Sequence, residues 1–145
     1  MKQEMRLEID SIPSNESFAR VVVAAFLTRL NPTMEEIADI KTAISEAVTN
    51  AIIHGYQNEV HKIIIGASLE GEKLTVWVQD FGVGIEKVKK AMEPLYTTRR
   101  DLERSGMGFV FMEAFMDTVS VESKPGEGTL VTMTKKIGRR YEKQE

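Results

Sequence analysis

Two polar side chains near the middle of the chain could support phosphate chemistry. Glu46 and Asn50 bound the pentapeptide EAVTN. On a helix this spacing puts both on one face, because each residue advances by about 100° around the axis. A carboxylate can act as a general base, and a carboxamide oxygen can bind magnesium, which takes its other oxygens from water and phosphate. A solvated helix face is the more common explanation for such a pair taken alone, although the apolar Ile53 on the same face suits a pocket wall.

Two glycine-bearing segments could surround a ligand. Asp80 precedes Gly82 and Gly84 in DFGVG, directly after an apolar run that is typical of a strand. The acid would lie where the chain leaves a sheet and could accept a hydrogen bond from an exocyclic amine, while the glycines allow close backbone approach. Gly106 and Gly108 precede a short apolar segment, and free amides at a helix start could bind phosphate. Taken singly, each segment is also compatible with an ordinary turn.

The composition is that of an acidic protein of 145 residues with net charge −3 and no cysteine. This length suits one domain, and the lack of cysteine excludes disulfides and thiolate catalysis. No run approaches the roughly 18 apolar residues of a membrane span. The charged amino terminus is unlike a secretory signal. We therefore expect a cytoplasmic protein that does not bind membranes.

Basic residues are few and clustered at the end of the chain. Lys135, Lys136, Arg139 and Arg140 belong to a charged end, with a tail over about 137–145, that we interpret as solvated. Without a basic stripe, direct nucleic-acid binding is not expected. The sequence also contains neither a lysine-bearing phosphate loop nor an HExxH motif. Taken by themselves, the two histidines, His54 and His61, suit surface or capping positions.

The first half of the chain predicts one strand and two long helices. Residues 4–10 alternate between apolar and polar side chains, as an edge strand does. A helix is predicted after Pro13, capped by Ser14 or Asn15 and ending before Pro32. Its recurring apolar residues are Phe18, Val21, Val22, Ala25, Phe26 and Leu30. A capping box formed by Thr33 and Glu36 begins a second helix that runs to Gly55.

The second half predicts two hairpins and a short helix. The hairpins pair residues 62–69 with 74–80 and residues 119–123 with 129–135, and the helix covers 109–115. The interval 86–105 is weakly periodic, and we expect it to be mobile. Because strands and helices are grouped rather than alternating, the expected fold is α+β, a two-layer sandwich with a mostly antiparallel sheet and helices on one face.

In combination, these segments resemble the GHKL superfamily of ATP-binding domains, which is shared by gyrase, a heat-shock chaperone, bacterial histidine kinases and a mismatch-repair protein. Residues 46–50 resemble its asparagine box, residues 80–84 its first glycine box and residues 106–108 its second, and Gly128 and Thr129 resemble its last. The resemblance implies the Bergerat fold over residues 1–145, with a mobile ATP lid at about 90–107.

The words SEAVTNAIIHGY and MEPLYTTR are similar to one branch of the superfamily, the bacterial serine kinases that act as anti-sigma factors. No phosphoacceptor histidine box occurs. The resemblance implies an ATP-dependent protein serine kinase that phosphorylates an anti-sigma factor antagonist and binds and inhibits a sigma factor. It also implies a homodimer, for which the amphipathic first strand is a plausible pairing edge. A non-catalytic, nucleotide-gated sigma-binding module and a GHKL ATPase remain alternatives.

Transferred residue by residue, the resemblance implies that Glu46 is the catalytic base toward a partner's serine. Asn50 would hold magnesium between the phosphates of ATP or ADP, and Asp80 would bind the adenine amino group. Arg100 and Arg104 would contact phosphate or a partner. The implied nucleotide contacts are Asn50, His54, Asp80, Gly82, Gly84, Ile85, Thr97, Thr98, Arg100, Arg104, Ser105, Gly106, Met107, Gly108, Phe109 and Thr129.

Overall fold

A computed structural model describes residues 1–93 and 108–138. Its strands are β1 (Lys2–Asp10), β2 (Lys62–Glu70), β3 (Lys73–Asp80), β4 (Thr118–Lys124) and β5 (Gly128–Lys136). Its α-helices are α1 (Ser14–Leu27), α2 (Met34–Asn50), α3 (Val88–Ala91) and α4 (Gly108–Phe115). A 3₁₀ turn, Thr28–Leu30, follows α1, and a π-helical turn, Ala51–Gly55, follows α2 directly.

The strands form an antiparallel sheet in the order β1-β2-β3-β5-β4. Its register aligns one apolar row across all five strands. Leu7 pairs with Ile65 and Ile65 with Val78, and Val131 pairs with both Val78 and Val121. Side chains of directly paired residues on neighbouring strands point to the same face, so this row lies on one side of the sheet. The predicted hairpins are confirmed, and β1 lies at an edge, as predicted.

The long helices cover this apolar face. α1 packs on α2, β1 and β2, while α2 also packs on β3 and α4. The predicted α+β fold is therefore confirmed. No helix within the two described ranges is long and apolar enough to cross a membrane.

The capping box predicted for α2 is present. The Glu36 backbone N–H donates to the Thr33 hydroxyl at 3.0 Å, and the Thr33 N–H donates to the Glu36 carboxylate at 2.8 Å. The helical path ends at Gly55, as predicted, but its last turn is π-helical, and the N–H of Tyr56 reaches the carbonyl of Ala51 at 2.9 Å. Such wide turns occur often at functional sites.

Two predictions about α1 are wrong. Its N-cap is Pro13, with no side-chain cap hydrogen bond, and the Asn15 amide instead donates to the carbonyl of Asp10 at 2.9 Å. The buried residues of α1 are Ala19, Val23, Phe26 and Leu27. Phe18 and Val21, which were expected to face the core, are 51% and 56% exposed. Both sides of the helix carry apolar residues, and the side with Ala19, Val23, Phe26 and Leu27 is the one that is buried.

Residues near the end of β5 are more buried than predicted. The Lys135 ammonium donates to the carbonyl of Phe115, at the end of α4, at 2.7 Å and lies 4.0 Å from the Asp39 carboxylate. Only 15% of the Lys135 side chain is exposed. Ile137 belongs to the core, and the Gly138 N–H donates to Glu36. The interpretation of Lys135 as part of a solvated end is therefore wrong.

Candidate functional site

A cavity of about 530 Å³ opens where the end of α2, the exit of β3, the start of α4 and the β4–β5 turn meet. Its volume is within the range of small-molecule sites. The lining residues are Ala47, Asn50, Ala51, His54, Gly55, Gln57, Val78, Asp80, Val83, Gly84, Ile85, Glu86, Lys87, Lys90, Ala91, Gly108, Phe109, Pro125, Thr129 and Val131.

One wall of the cavity consists of backbone segments in direct contact. A Cβ atom on Gly82 would lie 1.9 Å from the carbonyl oxygen of Gly55, and one on Gly84 would lie 2.0 Å from that of Lys124. Gly84 also has φ +76°, which favours glycine. A backbone hydrogen bond joins two of these segments: the Val83 N–H donates to the Gly55 carbonyl at 2.9 Å. The glycines of DFGVG therefore bring three loops together at this wall.

Asp80, the last residue of β3, lies in the cavity with only 5% of its surface exposed. Its carboxylate accepts a hydrogen bond from the Gly82 N–H at 2.9 Å, and the backbone of Thr129 provides a second. Burial nevertheless raises the pKa of the carboxyl from 3.8 to about 6. A desolvated acceptor of this kind suits a ligand that brings its own N–H donor.

A hydroxyl network beside Asp80 was not predicted from the sequence. Ser123 accepts a hydrogen bond from the Ile85 N–H at 2.7 Å and donates one to the Gly128 carbonyl at 2.8 Å. It also lies 2.8 Å from the Thr129 hydroxyl, which lines the cavity. Nothing local in the sequence distinguishes Ser123 from an ordinary strand serine. The only feature that could have indicated these contacts was its spacing from the glycine turn.

Tyr56 is a second buried hydroxyl that the sequence did not indicate. Its hydroxyl donates to the carbonyl of Lys62 and accepts from the Phe81 N–H at 2.8 Å. Burial raises the pKa of the Tyr56 phenol. This side chain therefore fixes the exit of β3 against the start of β2, directly behind Asp80.

The opposite end of the cavity is suited to anions. A Cβ atom on Gly108, the first residue of α4, would lie 3.1 Å from the Asn50 amide nitrogen, so the helix start and this amide share a corner. Backbone N–H groups at a helix start favour negative charge. Lys87 and Lys90, which the sequence analysis did not select, line the same cavity. The cavity thus contains a buried acid, a helix start beside the Asn50 amide, and two lysines.

Glu46 is half-buried on α2, one helical turn before Asn50, and does not line the cavity. It has a hydrogen bond, an ion pair or another electrostatic interaction within the protein. Gly82 also does not contact the cavity. Its backbone packs against the Gly55 carbonyl, behind the residues that do. Ile53 packs against the core, so the prediction that it lines a pocket is wrong.

The remaining predicted contacts divide into two groups. His54, Gly84, Ile85, Gly108, Phe109 and Thr129 line the cavity together with Asn50 and Asp80. Thr97, Thr98, Arg100, Arg104, Ser105, Gly106 and Met107 lie outside the described residues.

The side chains around the cavity can be compared with the ligands that a magnesium ion requires. The part of the chain that the structure describes contains no cluster of three or more acidic, histidine or cysteine side chains that could hold a metal. A magnesium ion held chiefly by phosphate and water oxygens requires only one or two protein ligands. The Asn50 carboxamide, beside the anion-binding end, fits that requirement.

Comparison with known proteins agrees with this geometry. Residues 11–135 match the family model of the histidine kinase-like ATPase domain. The chain is 61% identical over 134 residues to a protein of Thermoanaerobacter pseudethanolicus named anti-sigma F factor, covering 92% of this chain and 94% of the relative. Relatives with the same name include those of Clostridium acetobutylicum, 57% identical with 94% and 96% covered, and Oceanobacillus iheyensis, 53% identical with 96% of each covered. We identify the chain as similar to these anti-sigma F factors, with the anti-sigma B factor as a near neighbour by resemblance.

The raised pKa of Asp80 predicts a pH-dependent stability difference between wild type and Asp80→Asn. Because the folded pKa lies above the unfolded value, the unfolded chain releases this proton first, and wild type loses stability as pH rises from about 4 to 6. The asparagine variant lacks this loss. We expect its free energy of unfolding, relative to wild type, to rise by about 2–3 kcal/mol between pH 4 and 7.5.

Urea unfolding followed by circular dichroism at both pH values measures this difference. Glu122→Gln, on the exposed side of β4, is the matched control and should show no such change. A difference between Asp80→Asn and wild type that does not vary with pH would contradict the assignment.

Proposed function

Because this chain belongs to the histidine kinase-like ATPase domain family, we propose that it is an ATP-dependent protein serine kinase. It phosphorylates an anti-sigma factor antagonist, and it also binds and inhibits a sigma factor. The observation that carries the nucleotide-binding part is one cavity that holds the buried acid Asp80, the Asn50 amide beside the start of α4 at Gly108, and two lysines. An adenine nucleotide has groups that match these.

In this proposal, the residues of the cavity orient the nucleotide. Asp80 accepts a hydrogen bond from the adenine amino group, and the apolar side chains of Val78 and Val131 line the same cavity. Asn50 and the first amides of α4 bind the phosphate end, where bound magnesium neutralises charge on the phosphates. Phosphoryl transfer depends mainly on such positioning and charge neutralisation. The proposed ATP lid over about 90–107, with Arg100 and Arg104, lies mostly outside the described residues.

Glu46 is the proposed general base. It takes the proton from the antagonist's serine hydroxyl while the serine oxygen bonds to the γ-phosphorus and the bond to the bridging oxygen of ADP breaks. Its position one turn from Asn50 keeps it close to the phosphate end without making it a nucleotide ligand. A base must reach the incoming hydroxyl rather than the bound nucleotide.

The sigma-factor part of the proposal rests on the relatives, which are named anti-sigma F factors. The matches cover nearly all of both chains, which supports extending the anti-sigma activity in that name to this whole domain. A sigma factor acts together with RNA polymerase, so we propose that a protein that inhibits it is cytoplasmic. We also propose that the protein acts in sporulation, as the resemblance implies.

An exposed apolar surface supports a homodimer. Ile12, Phe18 and Val21 are 37%, 51% and 56% exposed. They lie on α1 or just before it, and α1 packs on the edge strand β1. Apolar residues beside an unpaired strand edge are typical of surfaces that associate. We propose that this surface pairs two copies of the chain.

Phosphoryl transfer tests the kinase assignment. With γ-labelled ATP and the antagonist encoded in the same genome, wild type should label a serine of the antagonist. Glu46→Ala should lower the rate by about 100-fold or more, because a general base contributes 10²–10⁴, while magnesium-ATP affinity should stay nearly unchanged. Glu35→Ala, exposed at the start of α2, is the control. Unlabelled antagonist with intact ATP binding would indicate a gated binding module, and labelled free phosphate alone would indicate an ATPase.

Affinity capture tests the sigma-factor assignment. The immobilised protein should retain a sigma factor from a sporulating lysate when supplied with ATP or ADP, and purified sigma factor should reproduce the binding. Capture followed by mass spectrometry identifies the partner, and transcription by the reconstituted RNA polymerase measures inhibition. Retention without inhibition of transcription would contradict the anti-sigma activity.

Sedimentation tests the dimer surface. Wild type should sediment as a dimer and Phe18→Glu as a monomer, because a carboxylate would be desolvated in the interface. Met34→Glu provides a control at a residue that is 87% exposed at the start of α2. If Phe18→Glu sediments as wild type does, this surface is not the dimer interface.

A further inference from the structure

Lys135, on β5, contacts the end of α4 that is opposite the cavity. Its ammonium donates to the carbonyl of Phe115, the last residue of α4, at 2.7 Å. In the β3–β5 ladder it pairs with the buried Leu74, so it points to the helix-covered face of the sheet. Carbonyls in the last turn of a helix lack intrahelical partners and carry partial negative charge. The last turn of α4 contains no basic residue, so Lys135 provides the cation from another element.

The Lys135 ammonium also reaches α2. It lies 4.0 Å from the carboxylate of Asp39, and the two side chains are only 15% and 25% exposed. At 3.6 residues per turn, Asp39 precedes Glu46 by about two helical turns and Asn50 by about three, so all three share one face of α2. The first residue of α4 lies beside Asn50, and its last residue is joined to Asp39 through Lys135. α4 therefore runs along this face in the direction opposite to α2.

The position of α4 depends on such contacts because the helix is short. It has eight residues, and isolated helices of fewer than about 12 residues are marginally stable. The chain after the helix is fixed separately: the Asp117 N–H donates to the Thr134 carbonyl at 2.8 Å, and its carboxylate accepts from the Lys136 N–H at 2.7 Å. Lys135 binds the helix itself. Because a helix moves as a unit, holding its last carbonyl also fixes its first amides.

We infer that Lys135 is a positioning residue for the phosphate end of the nucleotide. By binding the last carbonyl of α4 and pairing with Asp39, it holds the first amides of α4 beside Asn50, where both can bind phosphate. This inference rests on the proposed function, because it assumes that the cavity binds ATP with its phosphates at the start of α4. Removing Lys135 should therefore affect binding of the phosphates and leave binding of the base unchanged.

The test compares magnesium-ATP with adenosine, which has the base and the ribose but no phosphate. In calorimetry, Lys135→Met should bind magnesium-ATP about tenfold more weakly than wild type, a loss within the range for anion contacts at a helix start. Adenosine, measured by displacement of bound nucleotide, should bind both proteins alike. Lys135→Arg keeps a cation that can donate to the same carbonyl and should retain the wild-type affinity for magnesium-ATP. Lys73→Met, at an exposed residue beside Leu74, is the matched control and should bind both ligands as wild type does.

Equal weakening of both ligands in Lys135→Met would overturn the inference, because it would show that Lys135 only stabilises the fold. Unchanged binding of both would also overturn it, while wild-type binding of magnesium-ATP would leave the proposed function intact. If wild type binds neither ligand, the proposed function and the inference both fail. Should Lys135→Met not fold in a thermal melt, Lys135→Gln keeps a polar end without the charge. A loss confined to magnesium-ATP in that variant supports the inference, and an equal loss for both ligands overturns it.

Discussion

The buried carboxylate of Asp80 imposes the constraint around which the site is built. A carboxylate with so little access to water needs donors from the protein, and here they are the backbone N–H groups of Gly82 and Thr129. Gly82 follows Asp80 in the same segment, whereas Thr129 belongs to β5, so the exit of β3 and the start of β5 must lie in close contact. Gly55 and Gly128 make that possible, because a Cβ on either would lie within 3 Å of atoms of Asp80.

Two hydroxyl groups hold these loops in place from opposite sides. Tyr56 bonds the backbone of Phe81, and Ser123 bonds the backbone of Ile85, so the segment after β3 is held at both ends. Hydroxyl groups suit this task because each can accept from one chain segment and donate to another. The loop keeps its shape without secondary structure of its own, which leaves its cavity side available to a ligand.

The sequence predicted the parts of the fold that local patterns encode. The capping box at Thr33 and the alternation in the strands depend on neighbours within a few residues. The buried side of α1 was not predictable, because Phe18 and Ala19 are both apolar and only the packing partner decides between them. The hydroxyl contacts of Ser123 and Tyr56 were missed because bonds to distant backbone leave no periodic signal. Asp80 was found by its place at a strand exit, and its role came from the resemblance.

The position of β5 has a consequence for how the site first forms. This last strand lies between β3 and β4, so it separates the central strand from its neighbour at the edge. Asp80 acquires its cross-strand neighbour Thr129 only when that strand inserts. A ribosome-bound chain that has released only its first three strands therefore lacks one wall of the cavity and has an open sheet edge. The cavity is complete only after β5 has been synthesised, and truncation before β5 removes Thr129 and Val131 from its lining.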